Sequence, residues 1–328
     1  MDFKIEHFFN YKFLFECKRK IKTLKLKFFL NLLFFLFILS LNYQKIKIKV
    51  CLCTIGKLEN NYILEFVEHY KKYNVDKIFI YDNNDINGEH FEDVLSDYLK
   101  INFIEIINHR GEKSIQINMF QDCYQLNYKI YDWLIFFDID EYIYLKNYHN
   151  IKDFLIQKKF NKCQSIYLNW IIHTDNNLIY YDNRTLSKRF TEIFKKRKFC
   201  LGKTIIRGNI ENLKFKSTHI LDINLGRCNA FGKIIKIKKY KRSCNVPDYK
   251  YFYINHYYSK STEEFINKIN KGDAVLNNNI KNKYFRINFY FRFNKITMEK
   301  INFIVEKAHI NFSLLMHNLK KLYNYTLN

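Results

Sequence analysis

The sequence is poor in residues that interrupt helices and strands. Its 328 residues include one proline and eight glycines, while Lys, Asn, Ile, Phe and Tyr dominate. This bias is typical of genome-wide codon usage, so part of the lysine excess carries no structural meaning. Hydrophobic residues make up 48% of the chain, enough for a real core in one large or two small domains.

The cysteines lack the spacings of a metal site. None of the eight belongs to a C-x-x-C pair or to a His/Cys grouping with zinc spacing. We predict that most are buried thiols that pack as small hydrophobic residues. A disulfide framework is not expected in a chain of this length. Pairing stays open, if the domain is luminal, for four of them: Cys163, Cys200, Cys228 and Cys244.

The chain also lacks nucleotide-binding loops and nucleic-acid motifs. No G-x-G-x-x-G or Walker A loop follows the first strand, which argues against dinucleotide and P-loop chemistry. No zinc finger, RNP-like aromatic motif or basic heptad helix is present, so nucleic acid is not an expected partner. The net charge of +23 still favours a polyanion, either a phosphate-bearing ligand or an anionic membrane surface.

Residues 1–45 form a basic region that contains an uncharged stretch at 28–44, "FFLNLLFFLFILSLNYQ". The stretch is slightly short of the roughly 20 residues of a membrane span. The preceding "CKRKIKTLKLK" is basic and no small-x-small cleavage site follows, so we predict an uncleaved single-pass signal anchor. The alternative is a monotopic helix on the membrane surface. The sequons at Asn183, Asn311 and Asn324 do not decide which side the domain faces, because an Asn-rich chain produces them by chance.

From residue 46 short apolar strands alternate with amphipathic helices. One predicted helix, 61–73, places Ile63, Phe66, Val67 and Tyr70 on one face. Such alternation indicates an α/β fold with a mostly parallel sheet covered by helices on both faces. The predicted strands are 46–56, 76–83, 102–108 and 133–137, and the predicted helices are 61–73, 91–99 and 114–130.

Polar residues follow the strands where an open α/β sheet binds its ligand. Asp82 and Asn83 follow the second strand, and "DIDE", with Asp138, Asp140 and Glu141, follows the fourth. In extended backbone the two aspartates of D-x-D lie on the same side. Such a pair suits Mg²⁺ or Mn²⁺ on a diphosphate, where the ion acts as a Lewis acid. The alternative is that the three acids cap the next helix or face solvent.

Several segments, taken in order, resemble glycosyltransferase family 92 and the related family-2-like transferases. They are "NNYILEFVEHYKKYNVDKIFIYDNND", "YDWLIFFDIDEYI", "LSKRF", "GKTIIRG" and "INHYYSKSTEEFINKINKG". The resemblance implies a GT-A fold over residues 46–275, with a Rossmann-like nucleotide-sugar half at 46–145 and an acceptor half at 146–275. Residues 276–328 are a basic aromatic extension, most simply a strand and a helix packed on the domain. A surface that binds nucleic acid and one that meets membrane headgroups are the alternatives.

The resemblance also implies site residues. Asp138, Asp140 and His256 would hold Mn²⁺ or Mg²⁺, and Asp82 with Asn83 would meet the nucleoside of the donor. Further residues implied by position are Lys203 and Arg207 for the donor phosphates, Asp175 in "NWIIHTDNN" as the base of an inverting reaction with Glu141 as its fallback, and Trp170 as an acceptor stacking residue or a core aromatic. His173 and His219 are interpreted as ordinary, partly buried histidines. Relatives carry a Gly-rich loop at "IIHTDNN" and a proline at Gly208.

The leading hypothesis is therefore a metal-dependent, inverting glycosyltransferase. It would move a sugar from a nucleotide-sugar, with UDP-sugars favoured, to a glycan or lipid-linked acceptor. The alternative is a non-catalytic protein on a GT-A-like fold that binds membranes or nucleic acid through its basic surface. The sequence does not name the sugar or the acceptor, because many chemistries share this fold and motif.

Overall fold

The computed structural model describes residues 19–20, 22–34, 48–113, 115–194, 201–218, 226–235, 250–271 and 280–323. The chain divides into two units, Met1–Lys47 and Ile48–Asn328. In the first unit residues 22–34 are helical. Among the described residues no helix combines the length and the apolar character needed to cross a membrane. The predicted single-pass anchor over 28–44 is therefore wrong as far as these residues show, and 35–44 lie outside them.

The second unit is built on one mixed sheet. Its spatial order is β3-β2-β1-β4-β7-β6-β9-β5, with β8 paired to β6. The strands of the described residues are β1 Val50–Gly56, β2 Lys77–Asp82, β3 Ile104–Asn108, β4 Trp133–Phe136, β5 Glu141–Leu145, β6 Ser165–Ile172, β7 Gly202–Arg207, β8 Arg227–Asn229 and β9 Phe252–His256.

The helices of this unit connect the strands and then continue after the sheet. In the described residues they are α1 Asn60–Lys72, α2 Glu92–Lys100, α3 Gln116–Asn127, α4 Ile151–Leu155, α5 Leu186–Arg189, α6 Thr262–Asn270, α7 Ile280–Phe291, α8 Met298–Ala308 and α9 Phe312–Tyr323. A short 3₁₀ turn, Lys158–Phe160, precedes β6.

The first half of the sheet confirms the predicted parallel α/β pattern. Strands β3, β2, β1 and β4 pair in parallel, in the order expected when each is followed by a crossover helix. Helix α1 buries its predicted face against one side of the sheet, and α3 packs on the other. The second half is mixed, because β7 runs antiparallel to β4 and β6, and β5 runs antiparallel to β9.

Two disulfide bonds correct the expectation of buried thiols. Cys53 of β1 is bonded to Cys123 of α3, and Cys163 is bonded to Cys228 of β8. The second pair joins two of the four cysteines whose pairing the sequence left open. Cys51 is the free cysteine of the described residues, and it is buried.

The C-terminal extension is helical and belongs to the same unit. The predicted strand at its start is wrong, because residues Ile280–Phe291 form α7. Helices α7, α8 and α9 share a hydrophobic cluster with α6, built around Phe265, Ile287 and Ile304. The extension therefore completes the packing of α6, the helix that follows the predicted site residue His256.

Candidate active site

The acidic segment leaves the sheet in a tight turn. The backbone N–H of Glu141 donates to the carbonyl of Asp138, and Oε2 of Glu141 accepts from the N–H of Asp138, both at 3.0 Å. Ile139 and Asp140 lie in this turn, and the two aspartates have different partners. The prediction that the D-x-D segment lies in extended backbone is therefore wrong.

Three buried side chains lie together where the acidic turn meets β9. Asp140, Glu141 and His256 each place one possible ligand atom within 4.8 Å of the others. The antiparallel pairing of β5 with β9 sets Glu141 opposite His256. Among the described residues, Oε1 of Glu141 and Nδ1 of His256 are buried without a hydrogen-bond partner. Buried polar atoms without partners are rare, and a missing ion is one of their ordinary explanations.

Cations next to Asp140 hold it ionised. Its Oδ2 lies 2.6 Å from Nζ of Lys268 in α6, and its Oδ1 lies 3.5 Å from Nε2 of His256. Burial raises the pKa of the Asp140 carboxyl, but the ammonium of Lys268 above all, together with a hydrogen bond from His256, outweighs burial and holds it well below its usual range. Burial also lowers the pKa of His256, more than Asp140 raises it, which favours the neutral imidazole that a metal requires.

Glu141 differs from its neighbour Asp140. Its side chain has no exposed surface. Burial raises its pKa well above the usual range, and Lys203, with Nζ 3.8 Å from Oε2, offsets this only in part. A buried carboxyl of this kind gains most from a cation placed against it.

Asp138 is the most accessible of the three acids, with 32% of its side chain exposed. Its Oδ2 accepts from Nζ of Lys203 and its Oδ1 from Nε2 of Gln116, both at 2.9 Å. Burial lowers the pKa of Lys203, but Asp138 and Glu141 together raise it above the usual value. Lys203, predicted to contact the donor phosphates, is thus paired with two carboxylates of the protein itself.

A second group of lysines, missed from the sequence, surrounds Glu59 just before α1. Nζ of Lys260 lies 3.1 Å from Oε2 of Glu59, and Nζ of Lys271 lies 2.5 Å from Oε1. Lys260 also lies over the ring of Tyr62, 3.2 Å from its centroid. Lys260, Lys268 and Lys271 come from one stretch around α6. These lysines belong to the segment "SKSTEEFINKINKG", and the sequence predicted no role for them because their acidic partners are distant in sequence.

Asp82 ends β2 as predicted, but its carboxylate is already occupied. Oδ2 accepts from Arg110 at 2.7 Å, and Oδ1 accepts from the backbone N–H and the side-chain amide of Asn84, at 2.9 and 2.8 Å. The guanidinium of Arg110 also donates to the carbonyls of Asp85 and Gly88. Arg110 was not foreseen, and with Asp82 it fixes the loop that follows β2.

Asn83 braces the same loop. Its side-chain amide donates to the carbonyls of His109 and Glu112, at 3.1 and 2.8 Å. Its backbone N–H donates to Gly56 at the end of β1. The loop after β2 is thus tied to the ends of β1 and β3.

Arg207 and the acids lie at opposite ends of strand β4. It pairs with Trp133 at the start of β4, whereas Asp138 follows the end of that strand. Its guanidinium carbon is 4.3 Å from the centroid of the Trp133 ring, and its nitrogens donate to the carbonyls of Cys163 and Phe160. These contacts give Arg207 a structural role and remove it from the proposed phosphate contacts.

Asp175 is buried in a network that joins the C-terminal helices to the domain. Its Oδ2 accepts from Lys300, at 2.5 Å, and from Tyr290, while Oδ1 accepts from the backbone of Asn177. A proton acceptor in catalysis must reach the substrate. With 1% of its surface exposed and both oxygens engaged, Asp175 is better explained as a structural residue.

Two aromatic side chains predicted near the site differ in role. The Trp170 ring of β6 lies 4.2 Å from the His256 ring, centroid to centroid, so it packs directly against the acid–histidine cluster. His173 is buried with Nδ1 2.7 Å from the carbonyl of Phe190 and Nε2 2.8 Å from Oδ1 of Asn255. Both ring nitrogens are engaged, which confirms the interpretation of an ordinary buried histidine. His219 lies outside the described residues.

The donor set of the cluster fits a divalent cation. Two carboxylates and one neutral imidazole are hard or borderline ligands of the kind that Mn²⁺ accepts, and Mg²⁺ accepts the carboxylates. The unpartnered Oε1 of Glu141 and Nδ1 of His256 show that the protein alone does not satisfy these groups. Glu141, predicted as a fallback base, thus lies among the possible metal ligands.

The comparisons with known proteins agree with the resemblance seen in the sequence. The profile of glycosyltransferase family 92 matches residues 46–284 of this chain. No curated protein matches the chain.

Among solved structures, the similar chains include these three. Staphylococcus aureus TarS 1-349 in complex with UDP is 13% identical, covers 84% of this chain and 86% of its own, and has a TM-score of 0.35. S. aureus TarS is 13% identical, covers 84% of this chain and 53% of its own, and has a TM-score of 0.33. The mannosyltransferase PcManGT from Pyrobaculum calidifontis, in complex with GDP-Man and Mn²⁺, is 7% identical, covers 38% of this chain and 36% of its own, and has a TM-score of 0.29. The chain therefore spans about a third to a half of the length of the last two.

Proposed function

The chain belongs to glycosyltransferase family 92, and from this premise we propose that it transfers a sugar from a nucleotide-sugar donor to an acceptor hydroxyl in a metal-dependent reaction. The observation that carries the proposal is the buried cluster of Asp140, Glu141 and His256 at the carboxyl ends of β4 and β9. In open α/β sheets, ligands bind at the carboxyl ends of the strands. Membership of the family supports the reaction class, and the cluster supports the metal.

Asp140, Glu141 and His256 would hold the divalent cation, Mn²⁺ or Mg²⁺. Asp138, one-third exposed, is proposed to join them from the solvent side. When bound, the ion would supply Lewis-acid stabilisation of the diphosphate that leaves with the nucleoside. The ion would also offset the free-energy cost of burying the Glu141 carboxylate, whose Oε1 has no hydrogen-bond partner in the protein.

The chain's own cations would bind the rest of the donor diphosphate. Lys268 and Lys271 are each partly exposed and lie beside Asp140 and Glu59. Lysine binds phosphate as a point charge on a flexible stem, so these side chains can follow the donor without a fixed geometry. Lys203 would keep Asp138 in place rather than contact phosphate.

The loop after β2 would bind the nucleoside. Asp82 and Asn83 support this proposal through the loop they hold, since the carboxylate of Asp82 is bound to Arg110 and Asn84. UDP-sugars are the first donors to test. Trp170, which packs on His256, would form one wall of the site and contact the acceptor sugar.

We include a glycan or lipid-linked acceptor in the proposal, and an inverting course in which the base is neither of the two carboxylates that the sequence predicted for it. An inverting reaction needs a carboxylate base close to the acceptor hydroxyl. Asp175 does not suit the role of base because Lys300 and Tyr290 bind its carboxylate. Glu141 does not suit it because Glu141 lies among the possible metal ligands. The anomeric configuration of the product, measured by NMR, decides between inversion and retention.

The test is a panel of nucleotide-sugars assayed for transfer or hydrolysis with and without Mn²⁺. At least one donor should turn over, and Asp140→Ala should lower the rate by at least about a hundredfold, since it removes a group that holds the metal. The matched control is Asp97→Ala, whose side chain is 88% exposed on α2. A folded protein that neither binds nor turns over any donor, or an Asp140→Ala variant with unchanged rate, would falsify the proposal.

A further inference from the structure

The ammonium of Lys268 contacts one of the two carboxylate oxygens that Asp140 would offer to a metal ion. Nζ of Lys268 is 2.6 Å from Oδ2 of Asp140. Asp140 is 7% exposed, whereas the Lys268 side chain is 25% exposed. Like charges this close repel strongly in a buried site, because the low dielectric there screens them little. A divalent ion on Asp140 and an ammonium in this position therefore oppose each other.

The backbone that carries Lys268 is fixed from both ends of α6. Ser261 and Glu264 form a capping box at the start of the helix, and Arg189 binds Glu264 through two nitrogens, at 2.7 and 3.0 Å. Near the end of the helix, Arg286 of α7 donates to the carbonyl of Lys268. The side chain of Lys268 can thus change partner without movement of the helix.

The other cations beside the cluster have partners of their own. Lys260 and Lys271 bind Glu59, and Lys203 binds Asp138. Lys268 is the lysine of the described residues whose ammonium contacts Asp140. It therefore supplies the positive charge that Asp140 needs when no other cation is near.

We propose that Lys268 couples metal binding to donor binding. Without ligands it neutralises Asp140; when metal and donor bind together, the metal takes Asp140 and the Lys268 ammonium pairs with the donor diphosphate. A metal alone meets an uncompensated ammonium, so each ligand strengthens the binding of the other. This inference rests on the proposed function, since it assumes a diphosphate donor at the same site.

The test measures Mn²⁺ affinity by calorimetry and by the electron paramagnetic resonance signal of free Mn²⁺, with and without UDP or GDP. Titration of Mn²⁺ into each nucleotide alone corrects for complexes formed in solution. In the native protein, the better of the two nucleotides should raise Mn²⁺ affinity within the roughly 5- to 150-fold range of ordinary coupling. In Lys268→Met, Mn²⁺ alone should bind about tenfold more tightly, and the nucleotide should raise Mn²⁺ affinity by a smaller factor than in the native protein, the remainder coming from the ion's own contact with the diphosphate.

Two further variants make the result specific. Lys268→Arg keeps the positive charge and should keep weak binding of Mn²⁺ alone. Lys100→Met removes an exposed lysine of α2, 73% accessible, and should leave Mn²⁺ affinity unchanged. Lys268→Gln serves as a second neutral variant if Lys268→Met unfolds at a lower temperature.

Each outcome has a separate meaning. If neutral variants at 268 bind Mn²⁺ alone no more tightly than the native protein, or if no protein binds Mn²⁺, the coupling role is overturned. If coupling by the nucleotide is equal in the native protein and in Lys268→Met, it is overturned as well. The proposed function fails in a different experiment, when no nucleotide-sugar of the panel binds or turns over.

Discussion

The ammonium of Lys300 in α8 lies 2.5 Å from Oδ2 of Asp175, and the two side chains are 1% and 2% exposed. This ion pair joins the C-terminal extension to the segment that follows β6. Tyr290 of α7 binds the same carboxylate and shares a hydrogen bond with Thr262, the first residue of α6. The C-terminal helices therefore hold α6, and with it Lys268, at the site.

Removal of the charge at Lys300 should destabilise the domain. Lys300→Met leaves Asp175 buried without its cation, and breaking a buried pair in this way costs about 3 kcal/mol. Urea unfolding followed by circular dichroism measures the loss. The control is Lys295→Met on the exposed turn before α8, where a change below about 0.5 kcal/mol is expected. A similar stability for both variants would show that the pair contributes little.

Gly208 gives a test of a close backbone approach. A Cβ atom at this position would lie 2.0 Å from the carbonyl oxygen of Tyr131. Gly208→Ala therefore forces the turn after β7 away from that carbonyl, at a cost of about 2 to 3 kcal/mol. At Gly88 the nearest atom to an added Cβ is 3.2 Å away, so Gly88→Ala is the matched control. Equal unfolding free energies for the two variants would contradict the clash.

The same glycine shows what the sequence could and could not predict. Gly208 was noted as a departure from a proline in relatives, but its contact is with Tyr131, far from it in sequence and reachable only in the folded sheet. The strands and helices of the first half were predictable, because each has its own hydrophobic period. The mixed second half was not predictable. The antiparallel partner of β5 is β9, more than a hundred residues later, and β7 pairs with β4, about seventy residues earlier.

The site was predictable to a similar extent. The position of Asp138, Asp140 and Glu141 at the edge of the sheet followed from the buried strand before them. Their partners did not, because Lys203 and Lys268 reach them across 65 and 128 residues of sequence. The turn at Asp138 also breaks the extended backbone on which the D-x-D interpretation depended, and this brings Glu141 rather than Asp138 into the cluster with His256.

His69 should make stability depend on pH. Burial lowers the pKa of its imidazole to about 4, although a hydrogen bond to the carbonyl of Ile143 favours the charged form. The folded state thus takes up this proton only near pH 4, whereas the unfolded state takes it up near pH 6.5. The contribution of neutral His69 to the free energy of unfolding is present in full above pH 6.5 and is lost as the pH falls to about 4, a difference of about 3 kcal/mol.

Urea unfolding between pH 7 and 4 measures this effect. His69→Gln keeps a donor for the carbonyl and removes the titration, so the slope of stability against pH should fall by about one proton's worth. His149→Gln changes an exposed histidine and should leave the slope as it is. If the two variants show the same slope as the native protein, the burial of His69 is not a source of the pH dependence.

The disulfide between Cys163 and Cys228 should stabilise the domain by constraining the unfolded chain. It closes a sequence separation of 65 residues and links the segment just before β6 to β8, a strand of three residues. Replacement of both cysteines by alanine should lower the free energy of unfolding by about 2 to 4 kcal/mol. Alkylation of the denatured, unreduced protein provides the chemical check: Cys51 should be modified, while Cys53, Cys123, Cys163 and Cys228 should react only after reduction. Modification of Cys163 and Cys228 before reduction would show that the bond is absent, and the double alanine variant should then lose only the small packing contribution of two buried thiols.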